Sequence, residues 1–220
     1  MRFTNNEIVF LTSVSKGRVP LGVSYRMPQD GKRQEVVEET IQSLMKKGIL
    51  NEERKLTEKG AVAIRFWEIY RNNPRHVIVN RIKVAVLGDG KLIAVEQKED
   101  SYEVLCLESV VFMLEILKNA EYLCQGEQEA EKGKWQGIKP EEWGHEMETV
   151  EGCIPIAEYE NGRLQSQKLF YWKEKQGYQM NLDRLRVRSL SPAAMRKQLF
   201  RILGGDGYER HNEYIKYDGL

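Results

Sequence analysis

The sequence predicts an α+β protein, in which an antiparallel sheet is flanked by helices. Three observations lead to this fold class. Residues 1–75 carry helical patterns, whereas residues 76–106 and 152–188 are rich in Val, Ile and aromatic residues with short turns between the runs. A group of strands followed by a helix occurs twice, which predicts two similar halves although no repeat is visible residue by residue.

Residues 1–75 predict an N-terminal helical module that resembles a winged helix-turn-helix unit. Its first helix, over 4–14, begins at Thr4, and Glu7 three residues later completes a capping box. A loop rich in Gly and Pro follows this helix. The apolar residues near helical spacing are Ile8, Val9, Leu11 and Val14.

The second and third helices of this module are predicted over 33–47 and 57–71. Gly48 stands where the C-terminal cap of the second helix belongs, and Thr57 caps the third, which Asn and Pro then stop. The apolar side predicted for the second helix consists of Val37, Ile41, Leu44 and Met45.

Residues 76–123 predict a first strand group and a helix. The strands are predicted over 76–80, 81–87, 91–97 and 102–106, and "GDG" at 88–90 is a hairpin turn signal. The helix is predicted over 107–123. The residues along its apolar side are Val110, Val111, Leu114, Leu117 and either Ala120 or Glu121, and the opposite side is predicted to carry Glu108, Glu115 and Lys118.

Residues 124–220 are divided into three further segments by their sequence patterns. Residues 124–151 are an acidic connection, because 121–151 hold nine Asp or Glu against three Lys or Arg. Residues 152–204 are a second strand group and a helix that Ser191 caps and Pro192 opens. Residues 205–220 are expected to form a mobile tail.

Composition excludes several classes of protein. No apolar run approaches the ~20 residues of a membrane span, and the N-terminal stretch lacks the apolar core of a secretory signal. The three cysteines form no CxxC pair, so we expect free thiols, buried or half-buried, rather than disulfides or a zinc site. The sequence therefore predicts a cytosolic protein.

The alternative hypothesis is a winged-helix transcriptional regulator that binds DNA. The stretch "EETIQSLMKKGILNEERKLTEKG" resembles a recognition helix and its wing. However, the outward positions of that helix include Glu35, Glu38 and Glu39, and carboxylates oppose phosphates. Direct reading of DNA is therefore not the favoured interpretation.

Catalytic motifs are absent from the sequence. It contains no GxSxG, HExxH or GxxxxGK[ST], and its histidines stand far apart. We therefore predict a protein that is not an enzyme and that needs no cofactor or metal.

The order of these segments is similar to that of the EspG-like chaperones of type VII (ESX) secretion systems. The stretches that carry the resemblance are "FTNNEIVFLTSVSKGRVPLG", "IQSLMKKGIL", "EIYRNNPRHVIVNRIKV", "YENGRLQSQKLFYW" and "LSPAAMRKQLFRILGG". It spans about residues 3–205.

The resemblance implies a non-enzymatic protein that keeps helical-hairpin secretion substrates soluble by covering an apolar tip. Such binding needs apolar and aromatic residues on a rigid support with a polar rim. The candidate partner-binding residues come from the second strand group and its helix: Phe170, Tyr171, Trp172, Tyr178, Met195 and Phe200.

Overall fold

The computed structural model describes residues 1–23, 32–125 and 132–205. The predicted tail at 205–220 lies outside this part except for Gly205. Helices and an antiparallel sheet make up the described residues, which confirms the α+β fold class. The helices are α1 (Asn5–Val14), α2 (Arg33–Lys46), α3 (Glu58–Asn72), α4 (Ser109–Asn119), α5 (Pro140–Glu148) and α6 (Pro192–Ile202), and Glu121–Cys124 is a 3-10 helix.

The strands are β1 (Arg2–Thr4), β2 (Arg75–Val79), β3 (Ile82–Gly88), β4 (Lys91–Lys98), β5 (Ser101–Glu108), β6 (Gln136–Gly137), β7 (Gly152–Glu160), β8 (Arg163–Lys173), β9 (Gln176–Asn181) and β10 (Arg186–Ser189). Four strands and a helix thus follow each other twice along the chain, from β2 to α4 and from β7 to α6. Three of these helices and strands were not predicted: β1, and the strand β6 and helix α5 within the acidic connection.

The described chain divides into two compact units. The first comprises Met1–Asn73 and Ile93–Leu105, and the second comprises Pro74–Leu92 and the described residues from Cys106 on. The division of the chain into five segments made from the sequence remains a prediction.

Glu7 organises the first unit. The predicted capping box is confirmed: Thr4 Oγ1 accepts from the Glu7 amide, and the Thr4 amide donates to Glu7 Oε2 at 2.7 Å. The same buried carboxylate accepts from Ser43 Oγ at 2.7 Å and from Lys47 Nζ at 2.6 Å. Glu7 therefore joins the start of α1 to the C-terminal end of α2 through a buried carboxyl group that accepts three hydrogen bonds.

Aromatic residues fill the core of the first unit. Trp67 of α3 is 1% exposed and contacts Phe3 of β1 and Tyr70, each with ring centroids 6.1 Å apart in an edge-to-face arrangement. Because β1 pairs with β5 and places Phe3 opposite Tyr102, this short strand delivers an aromatic side chain to the helical core.

The second unit is built on a sheet with the strand order β3-β2-β7-β8-β9-β10-β6. In this order, each strand is antiparallel to the strand beside it. Glu158 of β7 accepts hydrogen bonds from Ser166 and Lys168 of β8. Burial alone would raise the pKa of Glu158, but these bonds and the nearby charge of Arg75 outweigh burial and lower it below its ordinary value of 4.5.

Helix α4 is anchored to α6 in this second unit. Ser109 at its first position is fully buried, and its hydroxyl donates to the Leu203 carbonyl at 2.6 Å while its amide donates to the Gly90 carbonyl at 2.7 Å. These two bonds fix which side of α4 faces the core.

Candidate functional site

The structure places most of the predicted partner-binding residues inside the second unit. Phe170, Tyr171 and Met195 are 0% exposed and Trp172 is 7% exposed, whereas Tyr178 and Phe200 are half-buried. Consecutive residues of a strand point to opposite faces of the sheet. Phe170 and Trp172 therefore lie on one face of the sheet and Tyr171 on the other, while Met195 and Phe200 belong to α6. The contact of these residues with a partner remains a prediction.

Helix α5 covers the face that carries Tyr171. The rings of Tyr171 and Tyr178 stack at 5.2 Å, and Trp143 and Met147 of α5 pack against the cluster formed by Leu169, Tyr171 and Met180. No residue of α5 is itself buried. The helix therefore lies over the aromatic strand face and contacts it through the half-buried Trp143 and Met147.

Glu146 ties α5 to the sheet. Its carboxylate accepts from the Tyr171 hydroxyl at 2.9 Å and from Lys173 Nζ at 3.0 Å. Burial, and then Glu146 itself, raise the pKa of Tyr171, so the phenol stays a neutral donor. This contact is polar, in contrast to the apolar contacts of Trp143 and Met147.

The opposite face of the same sheet carries Trp172. Its ring stacks on Tyr122 at 5.8 Å, and it lines a cavity of about 610 Å³ together with Lys132, Lys175 and Ser191. Gly177 also lines this cavity. A side chain does not fit at this position, because a Cβ atom there would lie 2.3 Å from the Leu190 carbonyl oxygen. Of the predicted set, only Trp172 lines this cavity.

Helix α4 presents an apolar surface that was assigned no role from the sequence. Its outward residues Val110, Val111 and Leu114 are 39%, 51% and 54% exposed, while Phe112, Met113 and Ile116 are buried. Leu117 is half-buried. The apolar side predicted from the sequence is therefore turned outward, apart from Ala120, because both sides of α4 are apolar and spacing alone cannot choose between them.

Helix α2 presents carboxylates where a DNA-reading helix would need donors and positive charge. Glu35 and Glu39 are exposed, and Glu38 accepts from both terminal nitrogens of Arg54 at 2.8 and 3.0 Å. A hydrogen bond from Gln42, and then Arg54, lower the pKa of Glu38, so it stays charged. The negative charge of this face would repel the phosphate backbone of DNA.

One apolar position predicted for α2 is wrong. Val37 is 46% exposed, and Thr40 is buried in the apolar side instead. The hydroxyl of Thr40 donates to the Val36 carbonyl, which allows a polar residue to be buried there.

The cysteines of the described residues are free thiols. Cys106, Cys124 and Cys153 are free, as predicted, but all three are exposed, so the prediction that they are buried or half-buried is wrong. Within 1–23, 32–125 and 132–205, no His, Cys, Asp and Glu residues gather into a group that could hold a metal ion. In the same ranges, no helix has the length and apolarity to cross a bilayer.

Comparison with solved structures shows a shared fold. The protein is similar to the Mycobacterium tuberculosis type VII secretion system chaperone EspG5, solved in complex with a PE25–PPE41 dimer, with a TM-score of 0.55 and 8% sequence identity. The similarity covers 92% of this chain and 94% of the other. No curated protein matches the sequence. A protein-family profile described as "Domain of unknown function (DUF5081)" matches residues 1–210, and the chain therefore belongs to the DUF5081 family.

Proposed function

We propose that this protein is a cytosolic, non-enzymatic chaperone or adaptor that binds helical-hairpin substrates of a type VII (ESX) secretion system. The observation that carries the proposal is the fold that it shares with EspG5 over 92% of its length. EspG5 is a chaperone of such a system and was solved with a bound protein dimer. The proposed partners are accordingly proteins.

The second unit offers a rigid support for such a partner. Phe170, Tyr171, Trp172 and Met195 are buried, so in this proposal they support the binding region from the core and do not touch the partner themselves. Tyr178 and Phe200 retain exposed surface and are the members of the set that can touch a partner without rearrangement. Aromatic side chains held by a packed core lose little conformational entropy on binding, which makes them effective anchors.

Binding of DNA is not supported by a comparable observation. The acidic outward face of α2 opposes it, since a phosphate bound at this face would lie beside Glu35, Glu38 or Glu39. A mobility-shift assay at ~50 mM salt, where phosphate contacts are strongest, should show no shift.

Co-expression tests the proposal. The protein is produced together with each small helical secretion protein encoded beside its gene, and the mixture is separated by size-exclusion chromatography. At least one pair should co-elute. The double variant Tyr178→Ala with Phe200→Ala should weaken that complex, whereas Tyr159→Ala, a half-buried strand tyrosine outside the predicted set, should not. Failure of every pair to co-elute, or a DNA mobility shift, would refute the proposed function.

A further inference from the structure

We infer that Arg186 and Arg188 of β10, together with Trp135, form a docking surface for an acidic segment of a partner protein, whose carboxylates the two arginines bind. These three residues are called the arginine face below. The inference goes beyond the proposed function, because it rests only on charge and geometry within the second unit. The arginine face shares no residue with the set predicted from the sequence.

Strand geometry places the two arginines on one face of the sheet. Residues two apart in a strand point to the same face and stand about 6.5 Å apart along it. Val187, between the two arginines, packs against the cluster that α5 covers. Arg186 and Arg188 therefore lie on the face of the sheet opposite to α5.

The guanidinium group of Arg188 is held in a fixed position. Its Nε and Nη2 donate to the side-chain oxygen of Gln179 at 3.0 and 2.6 Å, and its Cζ lies 4.4 Å from the centroid of the Trp135 ring. Gln179 is only 3% exposed, so this support belongs to the core. An arginine that is already ordered loses little entropy when it binds a carboxylate.

Arg188 has lost water without gaining a counter-ion. Burial lowers the pKa of Arg188 from its ordinary value of 12.5. Its Nη1 has no acceptor among the residues described and reaches solvent. A partly buried cation of this kind is stabilised when a carboxylate from outside binds it.

Arg186 is exposed and open toward the edge of the sheet. Its partners in the ladder are Asn181 of β9 and Gly137 of β6, and Gly137 brings no side chain that could cover it. In the described part of the chain, neither Arg186 nor Arg188 forms an ion pair with Asp or Glu. Both arginines can therefore accept a carboxylate without breaking an existing ion pair.

The elements packed around the arginine face add no carboxylate. Strand β9 and residues 132–139 contain no Asp or Glu. Helix α6 packs on the same face of the sheet, where its Met195 lies against Gly177, and its charged residues are all basic.

Two carboxylates lie farther along these strands, and both have partners. Glu158 accepts hydrogen bonds from Ser166 and Lys168 of β8. Asp183, in the turn before β10, accepts from the Gln167 amide at 2.9 Å, and Arg184 follows it along the chain. Arg186 and Arg188 thus remain as the excess positive charge.

The number and spacing of the charges select the partner. DNA-binding proteins neutralise about six to ten phosphates, and segments that bind anionic membranes bring about four to eight Lys or Arg. The arginine face offers two unpaired cations. Their separation of about 6.5 Å equals that of side chains at alternate positions of an extended peptide, so a segment with Asp or Glu at alternate positions matches both.

Two synthetic peptides test this inference. Both have 12 residues and a fluorescein label, and Ser alternates with Glu in one and with Gln in the other. Fluorescence anisotropy with the full-length protein at ~50 mM salt, where screening is weak, should show at least about tenfold tighter binding of the Glu peptide. Equal binding of the two peptides would overturn the inference.

Variants locate the binding on the protein. Arg186→Glu should weaken binding of the Glu peptide at least about tenfold. Trp135→Ala, which leaves the net charge unchanged, should weaken it about threefold because the Arg188 guanidinium loses its support. The matched control is Arg163→Glu, which makes the same charge change at an exposed arginine of β8. Circular dichroism checks that each variant is folded. The inference fails if Arg163→Glu weakens binding as much as Arg186→Glu.

Two further readouts separate the inference from its alternatives. If a labelled 12-nucleotide single-stranded DNA binds more tightly than the Glu peptide, the arginine face is a nucleic-acid site and the inference is wrong. If light scattering shows a dimer that Arg186→Glu dissociates, the face joins two copies of this chain and the inference is likewise wrong.

Discussion

Replacement of Glu7 by Ala should strongly destabilise the first unit. The Glu7 side chain is 1% exposed, and it accepts hydrogen bonds from the Thr4 amide, Ser43 Oγ and Lys47 Nζ. Alanine removes all three acceptor contacts and leaves the donors inside the junction of α1 and α2. The capping box at the start of α1 is lost at the same time.

The expected decrease in the free energy of unfolding follows from the environment of each hydrogen-bond donor. The Thr4 amide and the Ser43 hydroxyl are partly buried, and leaving each unpaired costs about 1–1.5 kcal/mol. The Lys47 side chain is 35% exposed and can regain water, so its contribution is below about 1 kcal/mol. The expected loss is about 3 kcal/mol for Glu7→Ala. It is about 1 kcal/mol for Glu7→Gln, which keeps the shape: the amide oxygen can accept from the Thr4 amide, and the amide nitrogen can donate to Ser43 Oγ in place of the present bond.

Urea unfolding followed by tryptophan fluorescence and far-ultraviolet circular dichroism measures this loss, because Trp67 is buried in the same unit. The midpoint should fall by about 1–2 M for Glu7→Ala. In a double-mutant cycle with Ser43→Ala, the two effects should be less than additive by about 1 kcal/mol. A loss below about 1 kcal/mol for Glu7→Ala, or an equal loss for Glu7→Gln, would refute the reasoning.

Three further predictions concern the second unit. Because the pKa of Glu158 is lowered, its contribution to stability is present above pH 4.5 and is lost as the pH falls through the folded-state value. The stability advantage of the wild type over Glu158→Gln in urea should therefore shrink below pH 4.5, and a constant advantage would contradict the assignment. Gly177→Ala should cost about 1–3 kcal/mol in thermal unfolding, since its Cβ would meet the backbone of Leu190 at 2.3 Å; an unchanged melting temperature would contradict this. Glu146→Ala should speed amide hydrogen exchange in α5 much more than in β8, and equal changes in both would show that Glu146 does not hold α5.

The local chemistry of the chain was enough to predict most helices and turns. Thr4 with Glu7, Thr57 and Ser191 cap the helices as expected, because a cap depends on a side chain within three residues of the amides it satisfies. The turn signal "GDG" is confirmed as well. Asp89 with Gly90, and Asn161 with Gly162, all have positive φ, as tight hairpin turns require.

Elements that depend on distant partners were missed. Strand β1 has three residues and exists because it pairs with β5, nearly a hundred positions away. Helix α5 has an acidic sequence that predicts a solvated connection. It packs through Trp143 and Met147 onto the Leu169, Tyr171 and Met180 cluster of the sheet, and no periodicity within nine residues reveals such a contact.

The sequence by itself determined the fold class, the caps and the hairpin turns, because these depend on chemistry between near neighbours. It also supplied the aromatic residues of the second strand group. The tertiary structure decided what covers them: strand parity puts Phe170 and Trp172 on one face and Tyr171 on the other, and all three are buried. It likewise decided that Val111 and Leu114 face water: α4 is apolar on both sides, and the hydrogen bonds of Ser109 to Leu203 and Gly90 hold one side against the core.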